Sequence, residues 1–387
     1  MTINKLISDT FLEIADALET GTFGKRRRIG LTLLGSEHGM DNLIQGAILA
    51  KKSNSDMEIV LIGPDHSSGF ETLIANSEEE MHKVMENALD EGVIDAAVTM
   101  HYNFPIGVST VGRAIAPGTG REVFIATTTG TSAINRIEAM VKNSIYGVIA
   151  ATASGIAKPT IGILNVDGAR TVEKILRQIQ SKGFDFKFGE SKRSDGGLIL
   201  RGNDLLQGAV DVVVTDTLTG NIIMKMLSSF TSGGNYENLG YGYGPGIGEG
   251  QHRNILILSR ASGEPVVAGA LKYADELVKN NLNTISDEIF DKLNRIHWKN
   301  IIEDALEKPC ESSEVKAPDK IVVTGTIVGI DIMELEDAVK TLWRQGIYAE
   351  SGMGCTGPIL LVPETRLNEC INLLSNAGLS GMGGDPC

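Results

Sequence analysis

A cysteine set among glycines is the first place where this chain could do chemistry. Ser351-Gly352-Met353-Gly354-Cys355-Thr356-Gly357-Pro358 places Cys355 among three glycines in six residues. The pattern predicts a hairpin tip. Glycine permits close approach by another molecule and leaves backbone N–H groups free to converge on one spot. Cys355 would supply a nucleophilic thiol, and the N–H groups around it, at Gly354 and Thr356, would stabilise the oxyanion of a thioester carbonyl. The same run also reads as a turn holding a small buried side chain. The other cysteines lack a shaped setting. Cys370 shares an apolar helical stripe with Leu367, Ile371 and Leu374, Cys310 lies in a linker, and Cys387 is terminal.

Two further segments suit an anion. Asp216-Thr217-Leu218-Thr219-Gly220-Asn221-Ile222-Ile223-Met224-Lys225 follows an apolar strand and opens a helix. The N–H groups of a helix start attract anions, Thr219 and Asn221 add donors, and Lys225 adds charge. Ordinary helix capping accounts for the same segment. Ser259-Arg260-Ala261-Ser262-Gly263 also ends a strand and precedes a helix. A guanidinium fork matches phosphate, and Ser259 adds a hydroxyl. In doubly wound sheets ligands sit at the carboxyl ends of strands, so two anion-suited ends in one sheet support each other. A solvated surface arginine is the competing reading.

Between these segments lies Gly240-Tyr241-Gly242-Tyr243-Gly244-Pro245-Gly246-Ile247-Gly248-Glu249-Gly250, which reads as a flexible lid or acyl-channel wall. It lacks the strand and helix context of a dinucleotide fingerprint, and no Gly-Lys-Ser/Thr loop occurs for ATP. His101 follows a strand and is a candidate base, although packed histidines are the commoner outcome. No Cys and His stand at zinc-ligand spacing, so neither metal nor cofactor is expected.

The elements that must position these groups alternate. Residues 28–34, 58–63, 96–100, 123–127, 160–164, 209–215 and 254–258 are short apolar runs separated by helical or Gly-rich stretches, after an amphipathic N-terminal helix through Ile3, Leu6, Ile7, Phe11, Ile14 and Leu18. That order predicts an α/β fold with a doubly wound, mostly parallel sheet over residues 1–280, in one lobe or two. Residues 281–317 form a helical linker. Residues 318–380 form a small β-α-β-β-α domain carrying Cys355, and residues 381–387 form a mobile tail.

Composition narrows the class. The 387 residues carry a formal charge of −14, with 45 glycines and 5% aromatic residues. An acidic chain without a basic stripe does not suit nucleic acid, and Lys25-Arg26-Arg27-Arg28 reads as a solvated turn. No run approaches ~18 consecutive apolar residues and the N-terminus lacks a signal-peptide layout, so neither a membrane nor export is expected. Four unpaired cysteines fit a reduced, cytoplasmic protein.

The order Ile163-Leu164-Asn165-Val166-Asp167-Gly168-Ala169, Leu205 through Asp216, and Thr219-Gly220-Asn221 through Lys225 resembles the phosphate acyltransferases of the PlsX-like family. Gly242 through Gly248 is similar to that family's Gly-Gly-Ala-Pro-Leu-Leu-Gly loop. Ser259-Arg260 is similar to the phosphate-binding Ser-Arg of phosphotransacetylases. The resemblance covers roughly residues 28–277. It departs at Leu33 through His38, at Met100 through Pro105, and at Val266, where phosphotransacetylases carry Asp.

Those departures, with the added C-terminal module, make the whole chain similar to the alpha subunit of component C of the glycine/sarcosine/betaine reductase complex of anaerobic amino-acid fermenters. That resemblance implies an acetyl thioester on Cys355 and its release by inorganic phosphate as acetyl phosphate. It also implies a hetero-oligomer with a thiolase- or ketosynthase-like beta subunit and the selenoprotein component A. A free-standing phosphate acyltransferase using acyl carrier protein or coenzyme A remains an alternative, as does a scaffold subunit without chemistry.

Overall fold

The computed structural model describes residues 10–12, 14–15, 26–54, 56–192, 196–306, 315–354, 357–379 and 382–383. Of the expected N-terminal helix, the described residues are helical and leave Phe11 and Leu12 exposed. The rest of that helix lies outside the described residues, as do Cys310 and Cys387.

Twelve strands form one sheet. In chain order they are β1 (Arg27–Thr32), β2 (Met57–Gly63), β3 (Glu71–Ile74), β4 (Ala96–Thr99), β5 (Val108–Ile115), β6 (Glu122–Thr131), β7 (Thr160–Leu164), β8 (Lys187–Phe188), β9 (Ile199–Leu200), β10 (Val212–Val214), β11 (Gly244–Ile247) and β12 (Ile255–Ile257). Their spatial order is β3-β2-β1-β4-β12-β11-β5-β6-β10-β7-β8, with β9 on β7. The pairs from β3 through β12 are parallel, and so is β6 with β10. The α/β class and the mostly parallel sheet are as the apolar runs predict. β4 and β10 are buried along their whole length, as continuous apolar strands covered on both faces must be.

Two central strands differ from expectation. β11 runs antiparallel to both β12 and β5, and β5 runs antiparallel to β6. The glycine-rich run is therefore no lid: residues 242–248 are all buried. A Cβ on Gly244 would stand 1.8 Å from the Val111 carbonyl oxygen, at a φ of +80°. Only glycine fits a strand pressed so closely on its neighbour.

The basic cluster also differs from a solvated turn. Arg27 binds Asp275 through Nε at 2.6 Å and through Nη2 at 3.1 Å, and Arg28 binds Glu71 at 2.6 Å. These pairs anchor the start of β1.

By packing, the chain divides into two compact units. One holds residues 1–162 and 186–293, and the other holds residues 163–185 and 294–387. In the second unit β13 (Gly325–Val328), β14 (Glu350–Gly354), β15 (Gly357–Val362) and β16 (Met382–Gly383) form an antiparallel sheet in the order β14-β15-β13-β16. Met382 and Gly383 thus pair with β13 instead of trailing in a tail. Ile327, Leu342, Leu360, Val362, Cys370 and Leu374 make the core under this sheet. Cys370 is fully buried there, and burial pushes its thiol pKa up, which makes it a packing residue.

Candidate functional site

The helix Thr217–Ser229 follows β10 directly. Its start is closed by its own side chains. Asp216 is the N-cap, accepting from the Thr219 backbone N–H at 3.1 Å and from the Thr219 hydroxyl at 2.7 Å. Arg136 binds the same carboxylate at 3.0 Å. Burial alone would raise the Asp216 pKa, but these hydrogen bonds and the Arg136 charge outweigh it and hold the carboxyl below its ordinary range.

An anion expected at this helix start is therefore met by a built-in one. Asp216, Thr219 and Gly220 do not line the cleft described below. Gly220 serves packing: a Cβ there would stand 1.8 Å from the Thr127 carbonyl oxygen, so the helix lies directly on β6.

Farther along the helix, Asn221 and Lys225 reach a cleft of about 620 Å³. Its walls follow strand ends. Met100 through Phe104 come after β4, Ser259 and Arg260 come after β12, Thr129 and Gly130 end β6, and Glu37 comes after β1. Four of the expected anion ligands, Asn221, Lys225, Ser259 and Arg260, thus meet from two different connections. His101 also lines the cleft and is exposed, not packed in the core.

Arg260 is held by its backbone, whose carbonyl accepts from the Glu37 N–H at 2.9 Å. Its guanidinium is exposed, and among the described residues no carboxylate pairs with it. Asn221 is more constrained, because its amide donates to the Thr128 carbonyl at 3.0 Å. Lys225 stands 3.6 Å from Glu237 and 5.8 Å from the centre of the Tyr243 ring.

Two residues at this wall escaped the sequence reading. Glu237 is 3% exposed and Tyr243 is 2% exposed, and the Tyr243 hydroxyl donates to Glu237 Oε1 at 3.0 Å. Glu237 also braces the turn beyond Arg260: its N–H donates to the Ala261 carbonyl and its carbonyl accepts from Gly263. The signal for Tyr243 was present, since strict alternation of glycine with larger residues from Gly240 to Gly248 is strand periodicity. Glu237 had no local signal.

Cys355 and Thr356 lie outside the described residues. Gly354 ends β14 and stands in register with Gly357 of β15. Among the described residues no cluster of His, Cys, Asp and Glu is arranged to hold a metal ion, and no helix is long and apolar enough to cross a membrane.

Comparisons with known proteins bear on the family of this chain. A family model described as "Fatty acid synthesis protein" matches residues 27–361. The chain is similar to the glycine/sarcosine/betaine reductase complex component C subunit alpha of Peptoclostridium acidaminophilum, at 56% identity over 97% of this chain and 99% of that protein. It is similar to the phosphate acyltransferase of Lysinibacillus sphaericus (strain C3-41), at 27% identity over 52% of this chain and 70% of that protein. Among solved structures, a branched-chain phosphotransacylase from Enterococcus faecalis V583 aligns with a TM-score of 0.45 at 16% identity, covering 65% of this chain and 99% of that one.

Proposed function

This chain belongs to the family of the component C alpha subunit of glycine/sarcosine/betaine reductase, and from that premise we propose that it transfers an acyl group to inorganic phosphate. In the full form of the proposal the acyl group is acetyl, carried as a thioester on Cys355, and the product is acetyl phosphate. Membership in a family of complex subunits supports further components. The proposed ones are a thiolase- or ketosynthase-like beta subunit and the selenoprotein component A, working in the cytoplasm.

The chemistry asks little of acid or base. A phosphate oxygen attacks the thioester carbonyl, a C–O bond forms, the C–S bond breaks, and the electron pair leaves on the cysteine sulfur. Phosphate is already anionic near neutral pH, so the protein must hold it close and offset its charge. The observation that carries the reading is the Arg260 guanidinium, unpaired among the described residues, which lines one cleft with Ser259, Asn221 and Lys225. Arginine offers phosphate a bidentate fork, and Lys225 supplies a second positive charge across the cleft. Thiolate is a fair leaving group, so a lowered Cys355 pKa would assist both acylation and release.

Iodoacetate labelling mapped by peptide mass tests the thiol. Cys355 should react fastest, with buried Cys370 as the internal unreactive standard, and Cys355→Ala should abolish acetyl phosphate formation by the assembled complex. Labelling of Cys355 no faster than Cys310 or Cys387, with an active Cys355→Ala variant, would overturn the thioester. The phosphate acyltransferase similarity supports a second reading, a free-standing enzyme using acyl carrier protein or coenzyme A thioesters. That enzyme would be active as the isolated chain and indifferent to Cys355.

A further inference from the structure

Lys225 is the exposed half of an ion pair whose other half is buried. Its side chain is 54% exposed. A lysine so placed ordinarily samples many rotamers and keeps its charge in water. Here the ammonium stands 3.6 Å from Glu237 Oε1 and lies over the Tyr243 ring, 5.8 Å from its centre, and both neighbours are buried. Glu237 is itself fixed on three sides. The Tyr243 hydroxyl donates to Oε1 at 3.0 Å. The Glu237 N–H donates to the Ala261 carbonyl at 2.9 Å, and the Gly263 N–H donates to the Glu237 carbonyl at 2.7 Å, so its backbone is paired with the turn that follows Arg260.

The second carboxylate oxygen, Oε2, is buried and has no hydrogen-bond partner among the described residues. A buried carboxylate so placed is unfavourable unless a charge offsets it, and Lys225 supplies that charge. Lys225, Tyr243 and Arg260 line the cleft, whereas Glu237 does not. We infer that Glu237 is a positioning residue for phosphate: it holds the Lys225 ammonium at the cleft wall without touching the anion. Lys225 then meets an incoming phosphate already in place, and the rotamer freedom that a solvated lysine gives up on binding is given up on folding instead. Because Glu237 lies outside the cleft and its charge is met by Lys225, its repulsion of the anion is the smaller effect. The inference rests on the reading that this cleft holds phosphate.

A double-mutant cycle on the full chain, read by isothermal titration with inorganic phosphate at neutral pH, tests it. Glu237→Gln keeps the size of the side chain and an acceptor for Tyr243 but removes the charge. It should weaken phosphate by about 3- to 30-fold, the span set by freeing the rotamers of one lysine. In a chain that already carries Lys225→Met, the same Glu237→Gln change should weaken phosphate no further. A merely structural role for Glu237 would weaken phosphate by the same factor in both backgrounds. Tyr243→Phe is the second variant, since it keeps the ring under the ammonium and removes only the hydroxyl that fixes Oε1. It should give a smaller loss, again absent beside Lys225→Met. Chemical denaturation reads the pair without phosphate. Lys225→Met should lower the midpoint although Lys225 is exposed, because it strands a buried carboxylate, and it should leave the midpoint of Glu237→Gln unchanged.

Phosphate bound by Glu237→Gln as tightly as by the natural chain, or weakened equally in both backgrounds, overturns the inference and leaves the phosphate reading standing. So does a Lys225→Met midpoint that falls equally with Glu or Gln at position 237. A natural chain that binds no phosphate removes the reading of the cleft and the inference with it. Coupled loss of phosphate binding, with no acetyl phosphate formed by the assembled complex, would sink the proposed reaction alone.

Discussion

Asp216 takes two hydrogen bonds from one residue, Thr219, at 3.1 Å from its N–H and 2.7 Å from its hydroxyl. The pair closes the start of the helix that carries Asn221 and Lys225, so these residues act on the cleft by fixing the helix. Replacing Asp216 with Ala should cost about 0.5–2 kcal/mol, the usual worth of an N-cap. Chemical denaturation should show it as a lower midpoint. Loss of activity without loss of stability would instead mark Asp216 as a ligand.

The same contact gives a pH dependence. The Asp216 carboxyl is depressed in the folded chain relative to its ordinary value near 3.9 in an unfolded one. A depressed carboxylate contributes stability above the unfolded pKa and loses it as pH falls through the folded value. The stability gap between the natural chain and Asp216→Asn should therefore be full at neutral pH and shrink progressively below about pH 4. A gap constant from pH 7 to pH 3 would contradict the carboxylate's role.

Gly220 is the least tolerant position of this helix. Any Cβ would lie within 1.8 Å of a backbone oxygen, and a carbonyl in a sheet cannot move aside as a flexible side chain can. Gly220→Ala should cost more than the ~1–3 kcal/mol of ordinary overpacking, because the whole helix must lift from β6. Thermal unfolding should fall sharply, with Asn221 and Lys225 displaced from the cleft. A variant as stable as the natural chain would mean that helix and strand stand farther apart.

Much of the fold was legible because its strands are local signals. β1, β2, β4, β6, β10 and β12 are apolar runs that cannot be exposed, and strand ends are where doubly wound sheets bind ligands. Ser259 and Arg260 were legible for that reason. β5 and β11 were not. β5 hides Ser109, Thr110 and Arg113 in the interior, where hydrogen bonds and ion pairs satisfy them, and β11 is half glycine. Neither shows the apolar run that marks a buried strand. Glu237 was illegible because its meaning lies in its partners, Lys225 and Tyr243, which only folding brings together. The segment from Asp216 to Thr219 is ambiguous in sequence for a related reason: a helix start that suits a foreign anion suits a resident carboxylate, such as the capping Asp216, equally well.

Hydrogen exchange separates a lid from a core strand at residues 242–248. A lid opens locally and its amides exchange quickly, whereas a buried central strand exchanges only with large-scale opening. Amides of β11 should be protected to the level of β5 and β12, with Gly240 and the residues from Glu249 onward exchanging sooner. Fast exchange across the whole run would restore the lid.

Arg260 provides the test that distinguishes chemistry from scaffolding. Its guanidinium is exposed and pairs with no carboxylate among the described residues, so its side chain contributes little to folding. Arg260→Ala should change stability by no more than about 0.5 kcal/mol, as for other unpaired surface groups. Its effect on phosphate should be far larger. A hydrogen bond to a charged group is worth about 1.5–3 kcal/mol, which corresponds to about 10- to 150-fold in the phosphate KM. Arg260→Lys should fall between, keeping the charge but losing the bidentate fork. Steady-state assays of acetyl phosphate formation at varied phosphate, run on the assembled complex, read all three. If Arg260→Ala matches the natural chain at every phosphate concentration, phosphate is bound elsewhere and this subunit serves the complex by position alone.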